Sequence, residues 1–118
     1  MKAYEKWNFP AGHLDEGEFI LDAVRRETKE ETGYDIKVNN LIQIYSTDDG
    51  RPQFMFFGVE VVSGEIEFDP AEILDVKWIS IDDIFGYDLR MPREVMENIL
   101  DRVESGNVFP LDAVRELR

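Results

Sequence analysis

The sequence predicts an α+β domain, a mixed sheet flanked by helices. Two segments, residues 18–32 and 92–104, carry apolar residues at helical spacing between helix start and stop signals. Others, residues 36–38, 41–45, 53–62 and 75–79, are short, apolar and bounded by turn residues, as strands are. The two kinds interleave without the strict alternation that an all-parallel sheet requires.

Residues 1–12 read as a short lead-in that ends in Pro10-Ala11-Gly12. Gly12 and Gly17 then allow tight turns and close approach of main chain to a ligand. The helix over 18–32 meets Gly33, placed to stop it in the left-handed conformation. Two extended segments follow, then the turn signal Asp48-Asp49-Gly50. The strand over 53–62 is apolar on both faces from Met55 to Val59, which predicts a central strand covered on both sides. Ser63-Gly64 ends it. Asp75 to Ile79 is the next strand, and Ser80 can cap a short helix through Phe85. Pro92 fits the first turn of the last helix, and Gly106 follows its end.

Composition narrows the function classes. The chain has 118 residues, one domain's worth, and 43% of them are hydrophobic, enough for a core. Cysteine is absent, which excludes disulfides and thiolate-held metal, and one histidine, His13, cannot build a His-rich zinc site. No apolar run approaches the ~20 residues of a membrane span, and Met1 to Trp7 shows no targeting pattern, so no membrane partner and a cytoplasmic location are expected. Twenty-six acids oppose 13 Lys plus Arg, a formal net charge of −13. Such a surface repels nucleic acid, so none is expected as a partner. A phosphate ester would need a cation between itself and the protein.

The first helix places some of its acids on the wrong face. At 100° per residue, Ile20, Ala23 and Val24 define an apolar stripe, with Asp22, Arg25, Arg26 and Lys29 on the far side. Glu27 and Glu31 extend the stripe, and Glu30 flanks them. Like charges at these spacings repel by roughly 0.2–0.5 kcal/mol per pair when exposed, and partial burial raises the cost. A hard divalent cation removes that cost; so does pairing with Lys or Arg from elsewhere. The spacing leaves both open.

Taken together, Gly12, Glu18, Arg26-Glu27-Thr28-Lys29-Glu30-Glu31-Thr32-Gly33 and Tyr34 match the Nudix box: Gly, five residues, Glu, seven residues, Arg-Glu, an apolar residue, any residue, Glu-Glu, any residue, Gly, apolar. Thr28 departs from the apolar preference, although its methyl can pack. The chain thus resembles the Nudix hydrolases. Residues 7–14, 75–80 and 104–111 also look like the bacterial subgroup that includes the phosphatase NudJ. The resemblance implies an α/β/α sandwich and Mg²⁺ or Mn²⁺ held by Glu27, Glu30 and Glu31 with the Gly12 carbonyl. It implies an Arg26–Glu18 pair that fixes the loop on the helix. It places Glu72 where some members carry a further acid that binds metal or orients water, and it puts His13 near the phosphates without a catalytic role. The activity it implies is hydrolysis of a diphosphate linkage in nucleoside di- or triphosphates or related small diphosphates. The alternatives are an ADP-ribose or dinucleoside-polyphosphate hydrolase and a non-catalytic nucleotide-binding domain. Tyr45, Phe54, Phe56 and Tyr87 are candidates for stacking on the rest of the substrate, against the plainer role of core aromatics. Family members carry a strand ahead of the box, whereas six residues precede Trp7 here. A domain shortened at its N-terminus leaves the strand over 53–62 without a neighbour, and a homo-oligomer that covers the gap is expected.

Overall fold

The computed structural model describes residues 1–3, 6–11, 15–48 and 54–117. Among these, two helices cover the two faces of a three-stranded antiparallel sheet. The first helix, α1 (Ile20–Thr32), starts two residues later than its pattern predicts. A turn precedes it: Glu18 N–H donates to the Asp15 carbonyl at 3.0 Å, and Gly17 sits at φ +77°. Phe19 is still extended, so the chain turns into the helix only after Glu18. At the other end Gly33 is left-handed, at φ +86°, and its N–H donates to the Lys29 carbonyl. A side chain there would also collide with the backbone of Glu65 and Glu67. Glycine is therefore required at position 33 twice over, by conformation and by space.

The extended segments predicted at 36–38 and 41–45 are one strand, β3 (Tyr34–Tyr45). Polar Asn39-Asn40 suggests a break, but the ladder with β4 (Phe54–Gly64) runs past it with register shifts between Val38/Asn40 and Leu41/Gln43. These bulges let Leu41 and Ile42, adjacent in sequence, both be buried. The sheet order is β4–β3–β5, where β5 is Phe109–Pro110. The central strand is thus β3, and β4 lies at the edge of the described sheet. This corrects the expectation of a covered central strand. Phe54, Met55, Val59, Val61 and Val62 are all exposed, so the apolar pattern on both faces does not correspond to cover on both faces. Gln53, placed in that strand from sequence, and Asp49-Gly50 of the turn lie outside the described residues. Asp75–Ile79 is a further correction. It has a single bridge position, at Asp75, and otherwise runs without a ladder. Trp78 turns outward, and its Nε1 donates to the Tyr34 hydroxyl at 3.1 Å.

Leu21 packs with Ile36 and Val38 of β3, joined by Val24, Phe57, Leu111 and Val114. Cross-strand partners share a face. Val38 and Leu41 pair with Val59 and Phe57, whereas Gln43 and Tyr45 pair with Phe56 and Phe54. The second set therefore lies on the opposite face, where α2 (Arg93–Ser105) supplies buried Met96 and Ile99 and bonds Gln43 and Tyr45 through Asn98. Ser80 caps the 3-10 turn Ile81–Gly86 through its hydroxyl, and α2 begins after Pro92 and ends at left-handed Gly106, all as the sequence predicts.

The lead-in is more ordered than a plain loop. β1 (Lys2–Ala3) pairs with β2 (Lys6–Trp7). Trp7 N–H donates to the Asp88 carbonyl at 2.8 Å, and Arg90 N–H donates to the Trp7 carbonyl at 3.0 Å. This stitch fixes where residues 8–11 approach α1. No helix among the described residues is long and apolar enough to cross a membrane.

Candidate active site

The inward arc of α1 carries charge, as its spacing predicts. Glu27 and Glu31 are both half-buried, while Arg25 and Lys29 are exposed. Thr28 and Thr32 share the arc because each hydroxyl donates one turn back, to the carbonyls of Val24 and Thr28 at 2.7 and 2.6 Å. That bond removes the cost of burying the hydroxyl and leaves the methyl to pack. This is how Thr28 fills an apolar position.

Arg26 departs from its expected place on the solvated face. Its side chain folds back over the preceding turn, where Nε and Nη2 donate to the two oxygens of Glu18 at 2.8 and 3.0 Å. A planar fork on a carboxylate is the strong form of this bond. It holds the Glu18 carboxyl below the usual carboxylate range, mainly through the Arg26 hydrogen bonds. Glu18 Oε1 also accepts the Asp15 N–H at 3.1 Å, so the pair ties the loop to the helix. Arg26 Nη1 reaches Glu27 at 2.8 Å and Glu30 at 3.2 Å.

Glu31 has a different environment. Its Oε2 accepts the Ala11 N–H at 2.8 Å, which brings the lead-in onto the helix. Burial pushes its carboxyl up to about 7, and the charges of Glu27 and Glu30 add to the rise. The Met1 ammonium, bonded to the Asn8 carbonyl at 2.9 Å, acts on it in the opposite sense. Glu31 is thus an inward carboxylate whose charge no nearby Lys or Arg neutralises among the described residues.

Among the described residues, no three side chains converge into a ready metal cage. Glu30 is exposed and turned toward Arg26. Gly12 and His13, expected beside the metal and the phosphates, lie outside the described residues. Glu72 is exposed, in a turn where its N–H donates to Asp69 O. Its side chain is not brought onto α1, but its loop is close: Glu67 N–H donates to Thr32 O at 2.9 Å. Glu67, Phe68 and Asp69 line a depression with Lys29, Glu30 and Gly33. No local pattern in the sequence marks Glu67, Asp69 or the Ala11 amide, since only the fold brings them to α1. Of the aromatic candidates, Tyr45 and Phe56 meet each other, whereas Tyr87 packs against Trp7 and under Lys77.

Even so, the donor set fits a hard divalent cation. It is all oxygen, it contains an inward carboxylate that no Lys or Arg pairs with among the described residues, and Glu30 is engaged in an exposed ion pair of the kind worth little.

Comparison with known proteins gives the family. Residues 1–103 match the family model described as NUDIX domain. Over 80 residues the chain is 36% identical to a nudix hydrolase of Caenorhabditis elegans, covering 67% of this chain and 22% of that protein. Over 76 residues it is 43% identical to the NAD-capped RNA hydrolase NudC of Salmonella agona (strain SL483), covering 63% and 29%. The chain spans less than a third of the length of either relative. A solved NUDIX hydrolase from Nitrosomonas europaea superposes with a TM-score of 0.78 at 31% identity, covering 95% of this chain and 79% of that one. With a family model matching most of its length and a solved relative sharing its fold, the chain belongs to the Nudix hydrolase family.

Proposed function

We propose that this chain hydrolyses a diphosphate linkage in a nucleoside di- or triphosphate or a related small diphosphate, with Mg²⁺ or Mn²⁺ held by Glu27, Glu30 and Glu31 and the Gly12 carbonyl. The observation that carries this reading is Glu31, a half-buried carboxylate beside two like charges, raised to about 7. When bound, the metal supplies neutralisation of phosphate charge and a lowered pKa for a bound water. The chain's own residues do the rest. The Glu18–Arg26 pair holds the loop against α1, and the Ala11 amide fixes Glu31 Oε2. That bond leaves Glu31 Oε1 for the metal, and one glutamate of the cluster orients or deprotonates the attacking water. Glu72 is assigned to orienting that water, from a loop that already touches α1. The rest is positioning for in-line displacement.

The likeness to NudC favours one neighbouring reading. That relative's name says it acts on NAD-capped RNA, so a dinucleotide diphosphate belongs among the candidate substrates, as does ADP-ribose. The net charge of −13 argues against a grip on an RNA backbone. The same reading places the protein in the cytoplasm. A phosphate-release panel over nucleoside di- and triphosphates, NAD, ADP-ribose and dinucleoside polyphosphates, with Mg²⁺ and with EDTA, tests it. Metal-dependent turnover of one class is expected; none on any compound refutes the reading. We also propose that a second copy covers the exposed edge of β4, and a stable monomer by light scattering at micromolar concentration would overturn that.

A further inference from the structure

The sheet face opposite α1 carries a side-chain group that hydrolysis itself does not use. The pairs Gln43–Phe56 and Tyr45–Phe54 put four side chains on that face. Phe56 is the hub: Tyr45 meets its ring edge-on at 5.9 Å and 88°, and Phe9 meets it at 6.2 Å and 75°. Phe9 lies two residues before Ala11, whose amide Glu31 holds, so a short stretch of backbone links this aromatic group to the candidate active site. Tyr45, Phe56 and Phe9 are each half-buried and Phe54 is exposed, so ring surface remains to be covered.

The group has one polar corner. Asn98 of α2 donates Nδ2 both to the Tyr45 hydroxyl and to Gln43 Oε1. Gln43 in turn donates Nε2 to the Ile44 carbonyl at 3.4 Å, so both ends of its amide are engaged. Gln43 therefore orients Asn98, and Asn98 orients Tyr45. A phenol that accepts from an amide keeps its own proton to give. Among the described residues the Tyr45 proton meets no acceptor. The corner is a fixed donor beside an aromatic wall.

We propose that Phe9, Phe56 and Tyr45 form the subsite for the base of the substrate, and that the Tyr45 hydroxyl, positioned by Asn98, selects bases presenting a hydrogen-bond acceptor. A flat heterocycle is the body that such rings pack against, and a ring nitrogen or carbonyl oxygen is the acceptor that the phenol reaches. The inference rests on the reading of the chain as a nucleotide diphosphate hydrolase, and it adds which end of the substrate is read and by what.

The test compares steady-state hydrolysis of ATP, GTP, CTP and UTP with that of methyl triphosphate, which has the anhydride and no base. In the unaltered protein, at least one nucleotide shows a KM tenfold or more below that of methyl triphosphate. Tyr45→Phe keeps the ring and loses the donor. It raises the KM of the preferred nucleotide three- to tenfold, leaves kcat unchanged, and leaves methyl triphosphate unaffected, the range expected for one hydrogen bond. Asn98→Leu moves KM in the same direction by less. Equal KM values for methyl triphosphate and every nucleotide overturn the proposal without any variant. So does Tyr45→Phe with every KM unchanged, as rings packed only for stability would give. If no triphosphate is hydrolysed, the triphosphate form of the reading fails, and the subsite is judged by binding. Metal-free titration with nucleoside 5′-monophosphates, followed by isothermal titration calorimetry, then decides the subsite alone. Binding weakened three- to tenfold by Tyr45→Phe supports it, and no binding at millimolar nucleotide refutes it.

Discussion

The two long helices are each 13 residues, end in left-handed glycines and lack a side-chain N-cap bond, yet they use their inward faces in opposite ways. In α2 the inward residues are Met96 and Ile99, 1% and 3% exposed, and the half-buried Asn98 beside them has its Nδ2 engaged twice. In α1 the inward arc holds Leu21 and Val24 at one end and Glu27, Thr28, Glu31 and Thr32 at the other. One helix stabilises by burial of apolar area. The other keeps charge where burial disfavours it, which a protein retains for function more readily than for stability.

Substitutions on the two helices should therefore separate cleanly. Glu31→Gln or Glu27→Gln is expected to lower kcat by about 10²–10³ while circular dichroism stays native and unfolding stays cooperative. For Glu31→Gln the metal-free melting temperature should rise slightly, since a repelled carboxylate is lost. Wild-type turnover in both variants would remove α1 from the chemistry. Met96→Ala should do the reverse and cost about 2–5 kcal/mol in denaturant unfolding, with kcat preserved in whatever remains folded.

Two smaller effects sharpen the contrast. Mg²⁺ at a hundred times its Kd should stabilise the fold by about 2.7 kcal/mol, and Glu31→Gln should abolish most of that shift. Thermal melts with and without EDTA read it, and no shift at millimolar metal would leave Arg26 as the whole answer to the carboxylates. The pH dependence of the metal-free protein carries its own sign. Folding raises the Glu31 pKa from 4.5 to about 7, so between those values the folded chain binds a proton that the unfolded chain has released. Stability is then present at low pH and lost as pH rises across that window. Glu27 and Glu30 on α1 strengthen the effect, and the Met1 ammonium opposes it. Glu31→Gln should flatten this slope, and an unchanged slope would place the titration elsewhere.

What could be read from the sequence was local. Helix spacing, the Gly33 and Gly106 stops, the Ser80 cap and the inward position of Glu27 and Glu31 are all set within a few residues. What could not be read depends on partners far along the chain. Asn39-Asn40 looks like a break because bulges are invisible until the register with β4 is known. Phe109-Pro110 shows no strand pattern because two residues suffice when Asn40 and Leu41 are already extended beside them. Arg26 sits on the outer side of a helical wheel, which gives the direction of Cβ and not of a long side chain that folds back to Glu18. Likewise, period-2 apolarity in β4 reports what the strand could bury and not what covers it.

The stitch between Trp7 and residues 88–90 also has a kinetic side. It joins positions about eighty residues apart in sequence, and contacts of that span close the largest loops and tend to form late. The ladder between β3 and β4 closes over a short connection and can form first. Ala11 reaches Glu31 only once the lead-in is seated. The candidate site is therefore expected to assemble late and to open early. Amide exchange should be fastest at Trp7, Arg90 and Ala11 while the centre of β3 stays protected.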